Sequence, residues 1–168
     1  MTQFPILRPA RADDADYIAA AEQVAEIAQF IFPWPAAEHV ERMAEASFGY
    51  HICEDEAGAP VGYAILNGLG NPNRSIELMR LAVTERDRGI GSALLSMITR
   101  EAFETLDAHR IWLDVFPDNG RARHVYNRFG FVEEGTQREA YFWNGEFRST
   151  IIMSMLAPEY ADLGRGSS

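Results

Sequence analysis

The stretch Val83-Thr84-Glu85-Arg86-Asp87-Arg88-Gly89-Ile90-Gly91-Ser92-Ala93-Leu94 decides the fold. Before it, Ile76 to Val83 reads as a buried strand. After it, Ile90, Ala93, Leu94, Met97, Ile98 and Ala102 recur at the spacing of one helix face. The segment is therefore a strand-to-helix turn. Gly89 and Gly91 at the helix entrance let backbone N–H groups come close to a ligand. Together with the helix dipole they make an anion site that suits a pyrophosphate, and Arg86 and Arg88 add positive charge. The competing reading is a tight turn with solvated arginines. A dinucleotide fingerprint lacks its third glycine, because Leu94 stands there, and a phosphate loop lacks its lysine.

Working outward, Ile111 to Phe116 is the next strand. Pro117-Asp118-Asn119-Gly120 turns into a helix that carries Ala122, Val125 and Tyr126 and ends at Gly130. Phe131 to Phe142 and Phe147 to Leu156 are strands joined by Trp143-Asn144-Gly145-Glu146, in which Asn-Gly predicts a hairpin. Upstream, Ile6 to Pro9 is a short strand and Asp13-Asp14 starts a helix through Ile31. Phe32-Pro33-Trp34-Pro35 breaks it, and a second helix runs through Val40, Met43, Ala44 and Phe48. Tyr50–Cys53 and Val61–Leu66 form a hairpin around the Asp55–Gly58 turn. Alternating strands and helices from 76 to 142 imply crossover units in a mixed sheet. No boundary or repeat interrupts this pattern. The expected organisation is one α/β domain over residues 1–160 with a flexible tail over 161–168.

Composition narrows the function. The 168 residues carry 25 acids against 15 bases, a formal net charge of -10. Such a chain is a poor non-specific binder of nucleic acid or anionic membrane. The acidity is concentrated upstream: residues 1–75 hold 11 acids and 4 arginines, residues 76–168 hold 14 and 11. All the bases are arginine, which removes lysine Schiff-base and pyridoxal phosphate chemistry. One cysteine forms no internal disulfide, which fits a reducing, cytoplasmic compartment. Cys53 reads as a strand core residue with His51 on the same face. No further ligand has matching spacing there or at His39, His109 and His124, so no metal is expected.

A second motif, Asn119-Gly120-Arg121-Ala122-Arg123-His124-Val125-Tyr126-Asn127-Arg128-Phe129-Gly130-Phe131, completes a pattern. With it the chain resembles the GNAT superfamily of acetyl-CoA-dependent N-acetyltransferases. Arg86-x-x-Gly89-x-Gly91 matches that family's pyrophosphate turn. Asn119, Ala122, Tyr126, Gly130 and Phe131 match its second pattern, and a strand separates the two as it does there. The resemblance covers residues 76–156. Its ending looks most like bacterial members that acetylate polyamines or ribosomal-protein N-termini.

The resemblance implies a mixed, mostly antiparallel central sheet flanked by helices. It also implies direct attack of a primary amine on acetyl-CoA, which is used as co-substrate without a metal. CoA would meet Leu81, Ala82, Val83, Arg86, Arg88, Gly89, Ile90, Gly91, Ser92, Asn119, Arg121 and Tyr126. Tyr126 matches the usual general acid. Glu77, on the strand leading to the turn, stands where some relatives carry a general base. A structural ion pair of Glu77 with Arg80 or Arg74 is the competing assignment. Period two puts Glu77, Met79, Leu81 and Val83 on one face unless a bulge intervenes. A bulge would also free the Leu81 or Val83 N–H to polarise the thioester.

In this fold the first inter-helix loop and the last hairpin border the acceptor cleft. Phe32, Trp34 and Tyr141, with Phe142 and Trp143 nearby, are the candidate wall, able to offer cation–π contact to an amine. For Trp143, in the turn, loop packing is favoured. The acidic upstream half favours a small cationic amine as acceptor. The rivals are a peptide amine, at a protein N-terminus or side chain, and a CoA-binding sensor without turnover. A homodimer is compatible with this reading.

Overall fold

The structure, a computed structural model, describes residues 5–85 and 89–165. Seven strands form one sheet in the order β1-β2-β3-β4-β5-β7-β6. They are β1 (Ile6–Pro9), β2 (Phe48–Glu54), β3 (Pro60–Asn67), β4 (Ser75–Val83), β5 (Arg110–Val115), β6 (Val132–Trp143) and β7 (Glu146–Leu156). Every neighbouring pair is antiparallel except β4 with β5. The mixed, mostly antiparallel sheet flanked by helices is the architecture expected from the sequence.

The period-two pattern of the strands divides the core between the two sheet faces. On one face α4 (Ile90–Arg100) buries Ile90, Leu94, Leu95 and Ile98 against Cys53, Leu66, Ile111, Leu113 and Met153. On the other, α1 (Ala15–Glu22) buries Ile18 and Ala21 against Tyr50, Ile52, Tyr63 and Ile65. The Asn-Gly signal is realised as written: Asn144 and Gly145 take φ of 52° and 80°, the left-handed pair that a two-residue hairpin turn demands. β6 is the exposed edge strand. Register shifts after Glu133 and Gln137 break its regular pairing, which blunts the edge.

Three expectations are corrected. The helix predicted from Asp13 to Ile31 is interrupted after Glu22. Val24 is extended at φ -63°, ψ 126°, and only a short α2 (Ala25–Ala28) follows. The second helix, α3, stops at Met43, and Phe48 opens β2 instead. Part of the segment expected as a flexible tail is helical, since α6 runs from Ala157 to Arg165.

Close approach of β3 to β4 depends on Gly62. A Cβ there would lie 2.9 Å from the Ala82 carbonyl oxygen and 3.1 Å from Val83. Backbone cannot swing aside as a flexible side chain can. Gly62→Ala is therefore expected to lower the unfolding free energy by about 1–3 kcal/mol. Gly164→Ala in α6, with open space around it, should be neutral or mildly stabilising. Chemical denaturation of both variants checks the contrast, and equal effects would contradict it.

Candidate active site

The site begins where β4 and β5 stop pairing. Their parallel register runs only through Ser75↔Arg110, Ile76↔Ile111 and Glu77↔Trp112. Beyond it β4 carries a bulge: Leu66 of β3 faces Leu78 while Ile65 faces Arg80, leaving Met79 extra. A bulge adds a residue, bends the strand and reverses which side chains face which way. Ile76 and Leu78 join the core under α4 before it. After it, Leu81 and Val83 pack on that core, while Ala82 joins the opposite one. Of the two expectations for Glu77, Met79, Leu81 and Val83, one uniform face or a bulge, the bulge is the one found, and Glu77 lies on the opposite face from Leu81 and Val83.

The bulge also fixes the backbone donors. Thr84 N–H donates to Val61 O of β3 at 2.9 Å. Backbone groups alternate sides along a strand. Ala82 and Arg80 therefore share the β3 side, and the Leu81 and Val83 N–H groups point to the edge that β5 has left.

A cavity of about 740 Å³ fills the opening. Its lining includes Leu81, Ala82, Val83, Gly89, Ile90, Gly91, Ser92, Asn119, Arg121 and Tyr126, so these expected cofactor residues are brought together. Gly89 caps α4 at φ 71°, a conformation that disfavours any side chain. Among the described residues no atom lies within 4 Å of where its Cβ would be, and only Val83, at 4.0 Å, lies near that of Gly91. The described part of the turn, Gly89–Ser92, leaves open space at a helix N-terminus, where backbone N–H groups and the dipole favour an anion. Asn119 has a local task as well, since its Oδ1 accepts the Ala122 N–H at 3.3 Å and caps α5 (Gly120–Phe129). Arg86 and Arg88 lie outside the described residues.

The polar groups of the cavity converge from four strands and α5. Glu77 pairs with neither Arg80 nor Arg74. Arg80 is bound to Glu22, Arg74 to Asp107, and Glu77 instead accepts one hydrogen bond from Asn67 Nδ2 at 3.1 Å. Burial pushes the Glu77 carboxyl above the usual glutamate range. The Asn67 bond opposes that shift and the Asp114 charge adds to it.

Asp114 was not expected from the sequence. It stands two residues beyond Trp112, the register partner of Glu77, and so faces the same way just past the end of pairing. Tyr141 O–H donates to its Oδ2 at 2.7 Å. Burial, followed by that bond, holds the Tyr141 hydroxyl well above its usual range. Tyr126 is pushed up to about 12, first by burial and then by Asp114. Its hydroxyl has no hydrogen-bond partner among the described residues. Thr150 Oγ1 is buried without a partner among the described residues, and Thr150 also belongs to the cavity lining.

Phe32, Trp34 and Tyr141 line the cavity as expected, joined by Phe116, which the sequence reading left at a strand end. Phe32 packs on Tyr141 at 5.2 Å and on Trp143 at 4.7 Å. Trp143 stays behind this wall as packing. Phe142 is corrected: it is 63% exposed and packs at a tilt on Phe147, outside the cavity. Cys53 is fully buried and burial pushes its thiol up to about 11, so it is a core residue rather than a nucleophile. Among the described residues no cluster of three His, Cys, Asp or Glu side chains could hold a metal ion, and no helix is long and apolar enough to cross a membrane.

With this geometry in place, comparisons with known proteins are informative. A family model described as the acetyltransferase (GNAT) family matches residues 18–131. The chain is 30% identical over 124 residues to spermidine N(1)-acetyltransferase of Vibrio cholerae, covering 73% of this chain and 70% of that protein. It is 30% identical over 104 residues to a putative ribosomal N-acetyltransferase of Bacillus subtilis, covering 61% and 57%. The structure of the Vibrio cholerae spermidine N-acetyltransferase in complex with CoA and spermine superposes with a TM-score of 0.84. That match has 23% identity and covers 94% of this chain and 98% of that one.

The site predicts its own titration. The Glu77 carboxyl should titrate above the roughly 4.3 of a model glutamate. In Asn67→Ala it should titrate higher still, because the one bond that stabilises its charge is gone. Carbon-13 NMR of the side-chain carboxyl measures both. A midpoint at or below the model value, or a downward shift in the variant, would contradict the environment described.

Proposed function

The chain belongs to the acetyltransferase (GNAT) family, and from that premise we propose that it acetylates a small cationic primary amine of the polyamine type at the β4–β5 opening. The observation that carries the acceptor class is the pair of carboxylates, Glu77 and Asp114, held in one cavity beside an aromatic wall, with the Asp114 charge also acting on the Tyr126 hydroxyl. The names of the relatives support it: two of the proteins it matches are described as spermidine N(1)-acetyltransferases, from Vibrio cholerae and Escherichia coli.

Acetyl-CoA supplies the activated acetyl group as a thioester, and the Gly89–Ser92 turn with Asn119 and Arg121 would hold its phosphates. The other steps belong to side chains of this protein. An alkylamine near pKa 10 reaches the cavity as an ammonium ion. Asp114 already accepts the Tyr141 hydrogen bond, which fixes its position in the cavity to bind that cation. Among the described residues Glu77 has one donor, and its proton affinity is raised, so it takes the proton that the ammonium must lose before nitrogen can attack. As the C–N bond forms and the C–S bond breaks, the nitrogen gives up its second proton, which passes to the departing sulfur so that CoA leaves as the thiol and the amide is neutral. The Leu81 or Val83 N–H meets the charge growing on the carbonyl oxygen, a contribution typically of about 10²–10³-fold.

Tyr126 faces the departing sulfur. With its hydroxyl near 12 it is fully protonated at neutral pH and able to donate. Complete transfer to a thiolate whose thiol titrates near 8.5 is uphill, so Tyr126 acts through the hydrogen bond that it donates as charge leaves. Thr150, the unpartnered hydroxyl, is available to the bound amine or to a water that relays the proton from Glu77.

Free-thiol release across polyamines, peptides, amino acids and aminoglycosides tests the acceptor. Polyamines should give the highest kcat/KM. Peptides leading would favour the N-terminal acetyltransferase reading, and cofactor binding with no turnover anywhere would favour a sensor. Tyr126→Phe should cut turnover by about 10–10³-fold while acetyl-CoA affinity and melting temperature hold. Full turnover in that variant, with chemistry rate-limiting, would return Tyr126 to packing.

The pH dependence follows from the Glu77 shift. Its raised pKa means that the base is lost as pH falls through that value, so the wild-type rate climbs with pH. Glu77→Gln should be most impaired near neutral pH and least in alkaline buffer, where free amine is abundant. The same factor at every pH would remove Glu77 from the base role.

A further inference from the structure

A second set of charged groups lies against the aromatic wall, with Arg80 reaching the cavity lining, and takes no part in the steps above. Glu22, at the end of α1, is 0% exposed, and Arg80, next to the Met79 bulge, is 6% exposed. Arg80 Nη1 donates to Glu22 Oε1 at 2.5 Å, and Tyr63 O–H donates to the same oxygen at 3.1 Å. Glu22 Oε2 accepts the Trp34 N–H at 2.8 Å and lies 3.3 Å from His39 Nε2. The other ring nitrogen of His39 is 3.2 Å from the Tyr50 hydroxyl. Burial alone would raise the Glu22 carboxyl, but the His39 hydrogen bond and the Arg80 charge outweigh it and hold the group below its usual range. Every strong partner that a buried carboxylate needs is present.

This network holds a loop as well as itself. Arg80 Nη2 donates to the Phe32 carbonyl at 2.7 Å, and its guanidinium lies 3.9 Å from the centre of the Trp34 ring. Pro33, between them, has no N–H to offer. The carbonyl before it and the amide after it are therefore both tied to one buried ion pair. Phe32 packs on Tyr141, and Tyr141 holds Asp114.

We propose that Glu22 and Arg80 are positioning residues that lock Phe32-Pro33-Trp34 as the rigid wall of the acceptor site, and through Phe32 and Tyr141 set the place of Asp114. The inference rests on the acceptor reading of this cavity. It explains why the sequence keeps an ion pair in a core that apolar side chains could fill. Hydrophobic replacements of similar volume often restore or improve stability at such a pair. They cannot reproduce the hydrogen bonds to Phe32 O and Trp34 N.

Glu22→Met/Arg80→Met separates the two roles. The double variant leaves Tyr63 and His39 without their Glu22 partner, so it should fold but melt below wild type, and it should bind acetyl-CoA with unchanged affinity by calorimetry. Its KM for the amine should rise on the order of 10–10²-fold, the scale expected when a positioning contact is lost. Retained amine KM in the folded double variant overturns the proposal. Wild type that turns over no amine overturns the acceptor reading instead, so the two failures are distinct. If the double variant does not fold, amide exchange in the wild type decides. The Trp34 N–H should be protected as well as the amides of β4. Exchange at the unprotected rate would overturn the clamp.

Discussion

Everything at the site depends on β4 losing its partner. A parallel neighbour paired along the full length of β4 would occupy its edge and close the opening. The bulge at Met79 bends β4 as its pairing with β5 ends at Glu77 and Trp112. The ladder hydrogen bonds given up there are recovered as function. Strand N–H groups become available to a ligand, α4 and α5 present their N-termini to the same space, and side chains from both sheet faces reach it. The cost is met elsewhere, in the regular antiparallel pairing of β2 with β3 and β5 with β7 and in the two apolar cores.

Two carboxylates show how satisfaction separates structure from chemistry. Glu22 and Glu77 sit close to the same cavity wall and are both withdrawn from solvent. Glu22 has an arginine, a tyrosine, a histidine and a backbone amide, so its charge is settled and its proton affinity is low. Glu77 has a single neutral donor and a second carboxylate nearby, so its proton affinity is raised. The first can hold a loop in place. The second can accept a proton from an ammonium ion. Sequence spacing does not distinguish them; the number and charge of their partners does.

The legible features were local ones. The glycine turn before α4, the Asn119–Gly130 helix and the Asn-Gly hairpin each depend on residues within a few positions, and each forms where the sequence placed it. The overall architecture followed from their order. The unread features join distant segments. The bulge was legible only as an alternative to regular alternation, because its place depends on how β3 and β4 align, which no pattern within β4 reveals. Asp114 reads as the polar half of an ordinary alternating strand until β4 leaves it facing a cavity. Arg80 was weighed as a partner for Glu77, three residues away, but its partner is Glu22, 58 residues away across the sheet.

The central claim is that the opening between β4 and β5 is where thioester and amine meet. A crystal structure of the protein with CoA and a polyamine tests it most directly. The account predicts the CoA sulfur inside the opening, within hydrogen-bond reach of the Tyr126 hydroxyl, and an amine nitrogen within such reach of Glu77 or Asp114. CoA seated away from the Gly89–Ser92 turn, or an amine bound outside the wall of Phe32 and Tyr141, would contradict it.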